Sequence, residues 1–446
     1  MRTTFAYLIR ACGASRWKRA GSPAPAGKVL AARKGKAYTT SLERRNAEFV
    51  RACRRLPLLL RTLFVRFLQI FANSLGRDPR PTRFYSLLRT LGSITVCSAP
   101  PLAGVEPPEE FVDLTVPDSL PHKIRRAVGL LCRRYERDLW TPRRRAVLDQ
   151  LRGQDFSAII CQEGLLVPLA LAVREARADR GKPCPVILDA REYYPRQFEQ
   201  SFIWRSVLGG INRYVCRQYF PQLDHIFTVS LGLAQGYREE YGLDCELLPS
   251  CPYYQDIAPA PVHGGPIRCI HHGAASSGRK LEVMVEAFRM LEDVATLDVM
   301  LVPNEPDYYD KLRQLAGSAG NIRFLDPAPM NEIVHRISGH DVGVFLLPDN
   351  TFNHRHALPN KFFEYVQARL ALAITPLPDM SAMLRQYDFG VIAEDFTPQA
   401  FAAAIRSLTP DSIARYKQHA DSAARMLCWE NNDAHLRETL LALMEG

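Results

Sequence analysis

The chain has 446 residues, of which 47% are apolar and 23% charged, with a formal net charge of +10 at pH 7. These values are typical of a soluble globular protein with room for two domains, and they argue against a membrane-spanning one. The charge is uneven: residues 1–66 hold sixteen Lys and Arg but two acids, a difference of +14, which leaves the rest of the chain near −4.

Residues 1–65 are predicted to be a basic extension, largely disordered or amphipathic. Residues 1–40 combine Ala, Gly, Ser and Pro with positive charge and have few apolar residues to bury. Residues 41–65 form a basic amphipathic pattern that would suit attachment to an anionic membrane surface. A solvated basic helix, an extension upstream of the true start and an acid-free transit segment remain open alternatives.

The cysteines and the apolar runs indicate the compartment. The eleven cysteines form no C-x-x-C pair, and Cys97, Cys161 and Cys269 fall in strand-like apolar runs, where a reduced thiol behaves as a small hydrophobe. No secretory signal is visible, and the run LPLLLRTLFVRFLQIFA is short and interrupted by Arg61 and Arg66. We expect a cytoplasmic protein, with the inner membrane face as an option for its extension.

Two successive alternations of strands and helices follow along the chain. In residues 66–258 the predicted strands include RFLQIFAN, SITVCSA, SAIICQE, CPVILDA and HIFTVS. The linker PAPVHGGP (259–266) precedes a second alternation over 267–425, with strands such as IRCIHHG, LDVMLVP, VGVFLL and LALAIT. Short buried strands alternating with helices predict parallel sheets. The fold class is therefore α/β, with two tandem Rossmann-like domains, and ligands are expected in the interdomain cleft at the carboxyl ends of the strands.

Cations stand at two predicted helix starts of the second domain. Arg279 and Lys280 follow the loop after IRCIHHG, and Lys361 opens the helix NKFFEYVQAR. The positive end of a helix dipole repels a cation by about 0.3–1 kcal/mol. A bound phosphate group between these two starts would explain both, although one such site alone would be unremarkable for surface Lys and Arg.

An acid and a pair of histidines are further candidates for the same cleft. Glu364 lies one turn into its helix, where it could accept hydrogen bonds from a ribose or could simply face solvent. His271 and His272 are adjacent in a strand and point to opposite faces, and no third ligand has suitable spacing, so no metal site is expected. The chain also contains no Asp-x-Asp pair that could hold a divalent cation against a diphosphate.

The PNKxFEY stretch and the loop GAASSGRKLE resemble motifs of the retaining GT-B glycosyltransferases of family 4. The resemblance covers roughly residues 66–446 and implies two Rossmann-like domains and a C-terminal helix, residues 426–446, that crosses back to the first domain. It implies catalytic roles for Lys280, Arg279 and Glu364. It also implies a donor-binding role for the residues Gly273, His272, His356, Asn360 and Lys361.

The sequence departs from that family at two of these positions. His356 stands where the first Glu of the E-x7-E motif is found, and Ala274 stands where an Arg often follows the loop glycine. On the acceptor side, the stretches FANSLGRDPRPTRF and DAREYYP resemble cleft-facing loops of the first domain. They supply the predicted residues Asn73, Arg80, Asp189, Arg191 and Glu192.

The resulting functional prediction is a metal-independent glycosyltransferase of the hexosyltransferase type. It would use a UDP- or GDP-linked sugar as substrate, need no cofactor, and act on a saccharide or lipid-linked acceptor in surface polysaccharide or glycolipid synthesis. Two alternatives stay open: a GT-B-fold sugar-nucleotide epimerase, and a degenerate, non-catalytic family member acting as a partner or adaptor. Nucleic-acid binding is not expected, because the basic extension lacks interleaved aromatic residues.

Overall fold

The computed structural model describes residues 65–102, 105–115, 129–181 and 183–445. All of them belong to one compact unit, Thr62–Gly446. The predictions made for residues 1–64 lie outside the described residues. Among the described helices, none is both long and apolar enough to cross a bilayer.

The first domain is built on a seven-stranded sheet in which every pair of neighbouring strands is parallel. The strands are β1 (Arg66–Ser74), β2 (Ser93–Ala99), β3 (Glu110–Asp113), β4 (Ala158–Cys161), β5 (Val186–Ala190), β6 (His225–Thr228) and β7 (Glu246–Leu247). Their order is β3-β2-β1-β4-β5-β6-β7. Strands β4 and β5 are buried at every residue, as is typical of a parallel sheet covered on both faces.

Helices cover both faces of this sheet. They are α1 (Pro79–Leu91), α2 (Tyr135–Leu139), α3 (Pro142–Leu151), α4 (Val167–Glu175), α5 (Gly209–Gln218) and α6 (Leu231–Tyr241). Helix α1 shows why helices start where they do: Asp78 accepts a hydrogen bond from the Arg80 amide and Pro79 occupies the first helical position.

The second domain repeats the design with six parallel strands. They are β8 (Ile267–Ala274), β9 (Ala295–Val302), β10 (Ile322–Leu325), β11 (Val342–Phe345), β12 (Ala371–Ile374) and β13 (Gly390–Ile392), in the order β10-β9-β8-β11-β12-β13. Its helices are α7 (Glu282–Arg289), α8 (Pro306–Ala316), α9 (Ile333–Ile337), α10 (Phe352–Arg355), α11 (Asn360–Gln367), α12 (Pro378–Tyr387), α13 (Pro398–Arg406) and α14 (Pro410–Ala424). The predicted α/β class with two Rossmann-like sheets is confirmed.

The last helix, α15 (Trp429–Glu445), returns to the first domain. Trp429, Leu436 and Leu440 join the apolar cluster beneath β1 and α1, and the Trp429 ring lies 5.6 Å from that of Phe84. The predicted crossover helix is therefore present. Because it is anchored by a fully buried tryptophan, it fixes the first domain to the end of the second.

The two domains also meet directly across the cleft through α10. The Asn353 side chain accepts a hydrogen bond from the Tyr193 amide (2.7 Å) and donates one to the Tyr193 carbonyl (3.2 Å). The Phe352 ring packs 4.6 Å from the Tyr193 ring. This contact brings the carboxyl ends of the two sheets against one shared cavity.

Candidate functional site

A cavity of about 390 Å³ lies between the two domains and is lined by both of them. The second domain contributes Gly273 from the end of β8, Arg279 from the next loop, and residues at the start of α11. The first domain contributes Arg80 from α1 and Arg191, which follows β5. Rossmann-like domains usually bind their ligands at this position, at the carboxyl ends of the strands.

Lys361, in the first turn of α11, is buried in this cavity wall without an ion-pair partner. The residue is 6% exposed, and its Nζ is buried and has no hydrogen-bond partner. It lies 5.3 Å from the centroid of the Phe345 ring. Burial lowers the pKa of Lys361 well below its usual value, the Arg279 charge lowers it further, and Glu364 opposes both. An ammonium held in this way stabilises the protein only when an anion reaches it.

Arg279 is the second cation without an acidic partner. It ends the 3₁₀ turn Ser277–Arg279, and burial alone lowers its pKa. Gly273 allows Lys361 to approach, because a Cβ there would collide with Lys361 Nζ, whereas Arg279 Nη1 would lie at an ordinary contact distance of 3.6 Å. The φ of Gly273, +131°, is itself one that L-residues rarely adopt.

Glu364 and His272 form the floor of the cavity. Their closest atoms, His272 Nε2 and Glu364 Oε2, are 3.4 Å apart, and no hydrogen bond satisfies the buried Nε2. Burial lowers the pKa of His272 well below its usual value, with Lys361 and Arg279 adding to the effect, so the ring is neutral. Burial raises the pKa of Glu364 to about 6, against the opposing charges of Arg83 and Lys361.

His271, the neighbour of His272, packs away from the cavity. Its Nδ1–H donates to the Val344 carbonyl at 2.8 Å, and its ring stacks on Phe345. In the described part of the chain, no group of three or more His, Cys, Asp or Glu side chains could hold a metal ion.

Lys280 does not share the cavity with Arg279 and Lys361, contrary to the expectation from the helix-start pattern. Helix α7 begins at Glu282, and Lys280 precedes it in the left-handed region, at φ +54°. This backbone turn directs the side chain outward, where it is 55% exposed and its Nζ lies 3.9 Å from Glu282 Oε1. The structure leaves its predicted catalytic role untested.

The other predicted donor residues divide between the cavity and its rim. Asn360 lines the cavity as the first residue of α11, which no side chain caps. The His356 side chain turns away: its Nδ1 lies 2.7 Å from Asp379 Oδ2, while its carbonyl accepts a hydrogen bond from Ser230 Oγ (2.7 Å). His356 thus joins the two domains beside the cavity and does not line it.

On the first-domain side, Arg80 and Asp189 form a buried ion pair. Arg80 Nε and Nη2 bind the Asp189 carboxylate at 2.8 and 2.7 Å, and Gln162 Nε2 adds a third hydrogen bond at 2.9 Å. The Arg80 Nη1 atom is buried without a partner. Asp189 is therefore fully engaged in holding Arg80, which keeps one unpartnered N–H group on the first-domain side of the cavity.

The other residues predicted for the acceptor side are Arg191, Glu192 and Asn73. Arg191 Nη1 binds Asp78, and its Nη2 lies 3.1 Å from Glu163 Oε1. Burial raises the pKa of Glu192, which follows Arg191. Asn73, near the end of β1, is exposed and does not line the cavity.

Two residues of α1 and its cap were missed from the sequence. Asp78, read as part of a loop, lines the cavity and pairs with Arg191. Arg83 donates a hydrogen bond to the Cys251 carbonyl, and its charge acts on Glu364 in the other domain. The Asp-Pro pair at 78–79 is a helix-start signal that could have placed Asp78 at the sheet edge.

The charges around the cavity are unbalanced. Each first-domain arginine in the lining has at least one carboxylate partner. In the second domain, Glu364 is the acid whose charge acts on Lys361, and no acid among the described residues acts on Arg279. The second-domain wall therefore carries uncompensated positive charge in a partly dry site, and an anionic ligand is the group that it would bind.

No family model and no curated protein matches the sequence. Solved structures do match the fold over most of the chain. Sucrose-phosphate synthase from Thermosynechococcus elongatus superposes with a TM-score of 0.64 at 10% identity, covering 85% of this chain and 99% of the other. An alpha,alpha-trehalose-phosphate synthase (UDP-forming) from Burkholderia vietnamiensis gives a TM-score of 0.59 at 12% identity, covering 85% and 100%.

WaaG, a glycosyltransferase involved in lipopolysaccharide biosynthesis, gives a TM-score of 0.58 at 12% identity, covering 82% of this chain and 99% of the other. At such identities the similarity establishes the architecture alone. The chain has the GT-B fold, as its motif resemblance implied.

Proposed function

We propose that the protein is a glycosyltransferase that transfers a sugar from a nucleotide-diphosphate sugar to a saccharide or lipid-linked acceptor. The observation that carries the proposal is the pair of uncompensated cations, Arg279 and Lys361, on one wall of the interdomain cavity. The GT-B fold supports it, because the solved proteins with this architecture named above include a UDP-forming synthase and a lipopolysaccharide glycosyltransferase.

The donor diphosphate would lie against the second domain. Lys361 and Arg279 would bind its oxygens, and the uncapped first turn of α11 would offer backbone N–H groups and the positive end of its dipole. The Gly273 backbone leaves room for this close approach, since no side chain stands there. The donor ribose would then reach Glu364, one turn further along α11.

Catalysis would rest on charge stabilisation and positioning. As the bond between sugar and diphosphate breaks, negative charge develops on the leaving nucleotide, where the two cations are already desolvated and oriented. The acceptor would enter from the first domain, with the unpartnered Arg80 Nη1 and the Arg191–Asp78 pair to orient its hydroxyl groups. The proposal also includes retention of the anomeric configuration, catalysis without a metal ion, and a role in polysaccharide or glycolipid synthesis.

A thermal-shift panel of UDP- and GDP-linked sugars tests the assignment. One donor at about 100 times its Kd should stabilise the wild-type protein by about 2.7 kcal/mol, and Arg279→Met should lose most of that stabilisation. Lys280→Ala should keep it, if the exposed side chain stays outside the cavity. An equal loss in both variants would show that Lys280 moves to the bound anion.

The same panel separates the alternative functions. A degenerate family member would show no stabilisation by any nucleotide sugar. An epimerase would convert the sugar of the stabilising donor without an acceptor, whereas a glycosyltransferase releases the nucleoside diphosphate and forms a glycosylated product. Failure of every donor to bind would contradict the proposal.

Donor affinity should depend on the ionisation of Glu364. The carboxylate accepts ribose hydrogen bonds better than the neutral acid, and the pKa of Glu364 is raised to about 6. The affinity for a nucleotide sugar, whose diphosphate does not titrate in this range, should therefore fall by about tenfold between pH 7 and pH 5. Isothermal titration calorimetry of wild type and Glu364→Gln measures this difference.

The stability of the free protein should change with pH in the direction opposite to donor affinity. An acid whose pKa rises on folding binds more protons in the native state, so its contribution to stability decreases as pH rises from its unfolded value of 4.5 through about 6. In Glu364→Gln both pH dependences should flatten. An unchanged pH profile of donor affinity in that variant would contradict the ribose assignment.

A further inference from the structure

Helix α6 of the first domain carries two buried glycines four residues apart, Gly232 and Gly236. Residues with this spacing lie on one face of a helix. Gly236 stands in the helix interior, where glycine is less favourable than alanine because it loses more backbone entropy on folding. Neither glycine has a positive φ, so the backbone conformation does not require them. A close neighbour at this face of α6 would account for both.

Two aromatic rings of the second domain are these neighbours. A Cβ on Gly232 would collide with the His356 imidazole, and a Cβ on Gly236 would lie 2.7 Å from Phe352 Cζ. The Phe352 and His356 rings also touch each other, with centroids 4.7 Å apart. We call the face formed by Gly232 and Gly236 the glycine groove. Because glycine has no side chain, the two rings approach the backbone of α6 directly.

Polar contacts fix His356 at one end of the groove. Asp379 Oδ2 lies 2.7 Å from His356 Nδ1, and Asp379 Oδ1 accepts a hydrogen bond from the Gly232 amide at 3.0 Å. Ser230, at the N-cap position of α6, makes no capping bond with its side chain and donates to the His356 carbonyl at 2.7 Å instead. A carboxylate of the second domain therefore satisfies an N–H group in the first turn of a first-domain helix.

The short helix α10 fixes Phe352 at the other end. Thr351 Oγ1 caps α10 by accepting a hydrogen bond from the His354 amide at 3.0 Å. The Phe352 ring packs on the Tyr193 ring, and Asn353 accepts a hydrogen bond from the Tyr193 amide at 2.7 Å. At each end of the contact, a backbone N–H of the first domain thus donates to a side chain of the second domain.

We propose that Gly232 and Gly236 are positioning residues that set the spacing between the two walls of the cavity by receiving His356 and Phe352. Rings that rest on helix backbone have no intervening side chain that could yield, so the separation of the domains is fixed by close packing. The proposal also gives His356 a role at the position where the E-x7-E motif has its first Glu.

The groove lies directly beside the cavity. Val229, three residues before Gly232, lines the cavity, and so does Leu358, two residues after His356. The positioning role rests on the proposed function, in which the donor lies on the second-domain wall and the acceptor on the first-domain wall. Transfer between them would then require the spacing that the glycine groove imposes.

Gly232→Ala and Gly236→Ala test the groove, because each adds one methyl group that a helix accepts and the interdomain contact does not. The measurement is amide hydrogen exchange of the full chain, followed by mass spectrometry. In both variants the amides of residues 193 and 232, whose acceptors belong to the second domain, should exchange at least about tenfold faster. The control Gln235→Ala changes an exposed side chain of the same helix and should leave both amides protected.

Transfer and donor binding should separate in the two alanine variants. Donor affinity by calorimetry should stay within about threefold of wild type, because the proposed donor contacts lie in the second domain. The transfer rate should fall by at least about tenfold, since small misplacements of reacting groups are costly. Adding Phe352→Leu to Gly236→Ala removes the ring atoms that meet the new methyl group, and should restore the slow exchange and part of the rate.

Unchanged exchange at both amides in both alanine variants would overturn the groove. Faster exchange with a full transfer rate would show that the contact joins the domains without positioning the substrates. A parallel loss of donor affinity and of unfolding free energy would mean general destabilisation, which also contradicts the positioning role. If the wild-type protein binds no nucleotide sugar, the proposed function fails and the positioning role with it, while the exchange data still decide whether the glycine groove holds the domains together.

Discussion

Replacing Lys361 with Met should weaken nucleotide-sugar binding by about 10- to 100-fold while leaving the free protein equally or more stable. The loss of affinity corresponds to one charge-assisted hydrogen bond, about 1.5–3 kcal/mol. Most substitutions of buried residues lower stability. We expect no such loss here, because Lys361 Nζ is buried without a partner in the free protein. A thioether of similar length removes that unpaired amine and keeps the packing on Phe345.

Lys417 offers a matched control on α14. It is also buried, at 1% exposure, but its Nζ donates to the His340 carbonyl at 2.7 Å. Lys417→Met should therefore destabilise the protein by about 1–3 kcal/mol and leave donor affinity unchanged. Calorimetric titration and urea denaturation of both variants measure the two quantities. Unchanged affinity in Lys361→Met, or parallel behaviour of the two variants, would remove Lys361 from the donor site.

Replacing Asp189 with Ala should destabilise the protein by about 3–5 kcal/mol. The substitution removes the partners of Arg80 Nε and Nη2, so that with Nη1 all three guanidinium nitrogens are unpaired, and it deprives Gln162 of its acceptor. The exposed pair Arg152–Asp149 is the control, since Asp149→Ala should change the free energy of unfolding by less than about 1 kcal/mol. Urea denaturation monitored by circular dichroism gives both values.

A double substitution separates folding from function at this pair. Arg80→Met with Asp189→Leu removes both charges and should recover most of the stability lost in Asp189→Ala. If Arg80 Nη1 orients the acceptor, the double variant should bind donor normally yet transfer the sugar more slowly. Recovery of stability together with full transferase activity would contradict the acceptor-side role of Arg80.

The sequence alone was sufficient to predict the architecture and the two cations on the second-domain wall of the cavity. Strand–helix alternation and continuous apolar strands are local signals, and they predicted both parallel sheets. The motif resemblance implied the crossover helix over residues 426–446. The odd placement of Lys361 and Arg279 was equally readable, because a cation near a helix start is a local anomaly. The structure brings these two residues together with Gly273 and Glu364 in one cavity.

The tertiary structure alone decided which neighbouring residues reach that cavity. Lys280 follows Arg279 directly, yet a left-handed φ turns its side chain to solvent. Asp189 ends a strand at the cleft, but Arg80, 109 residues earlier, occupies its carboxylate. The His356 ring is likewise held by Asp379, on α12. Such outcomes depend on backbone dihedral angles and on partners far away in the chain, and no local pattern of residue types encodes either of them.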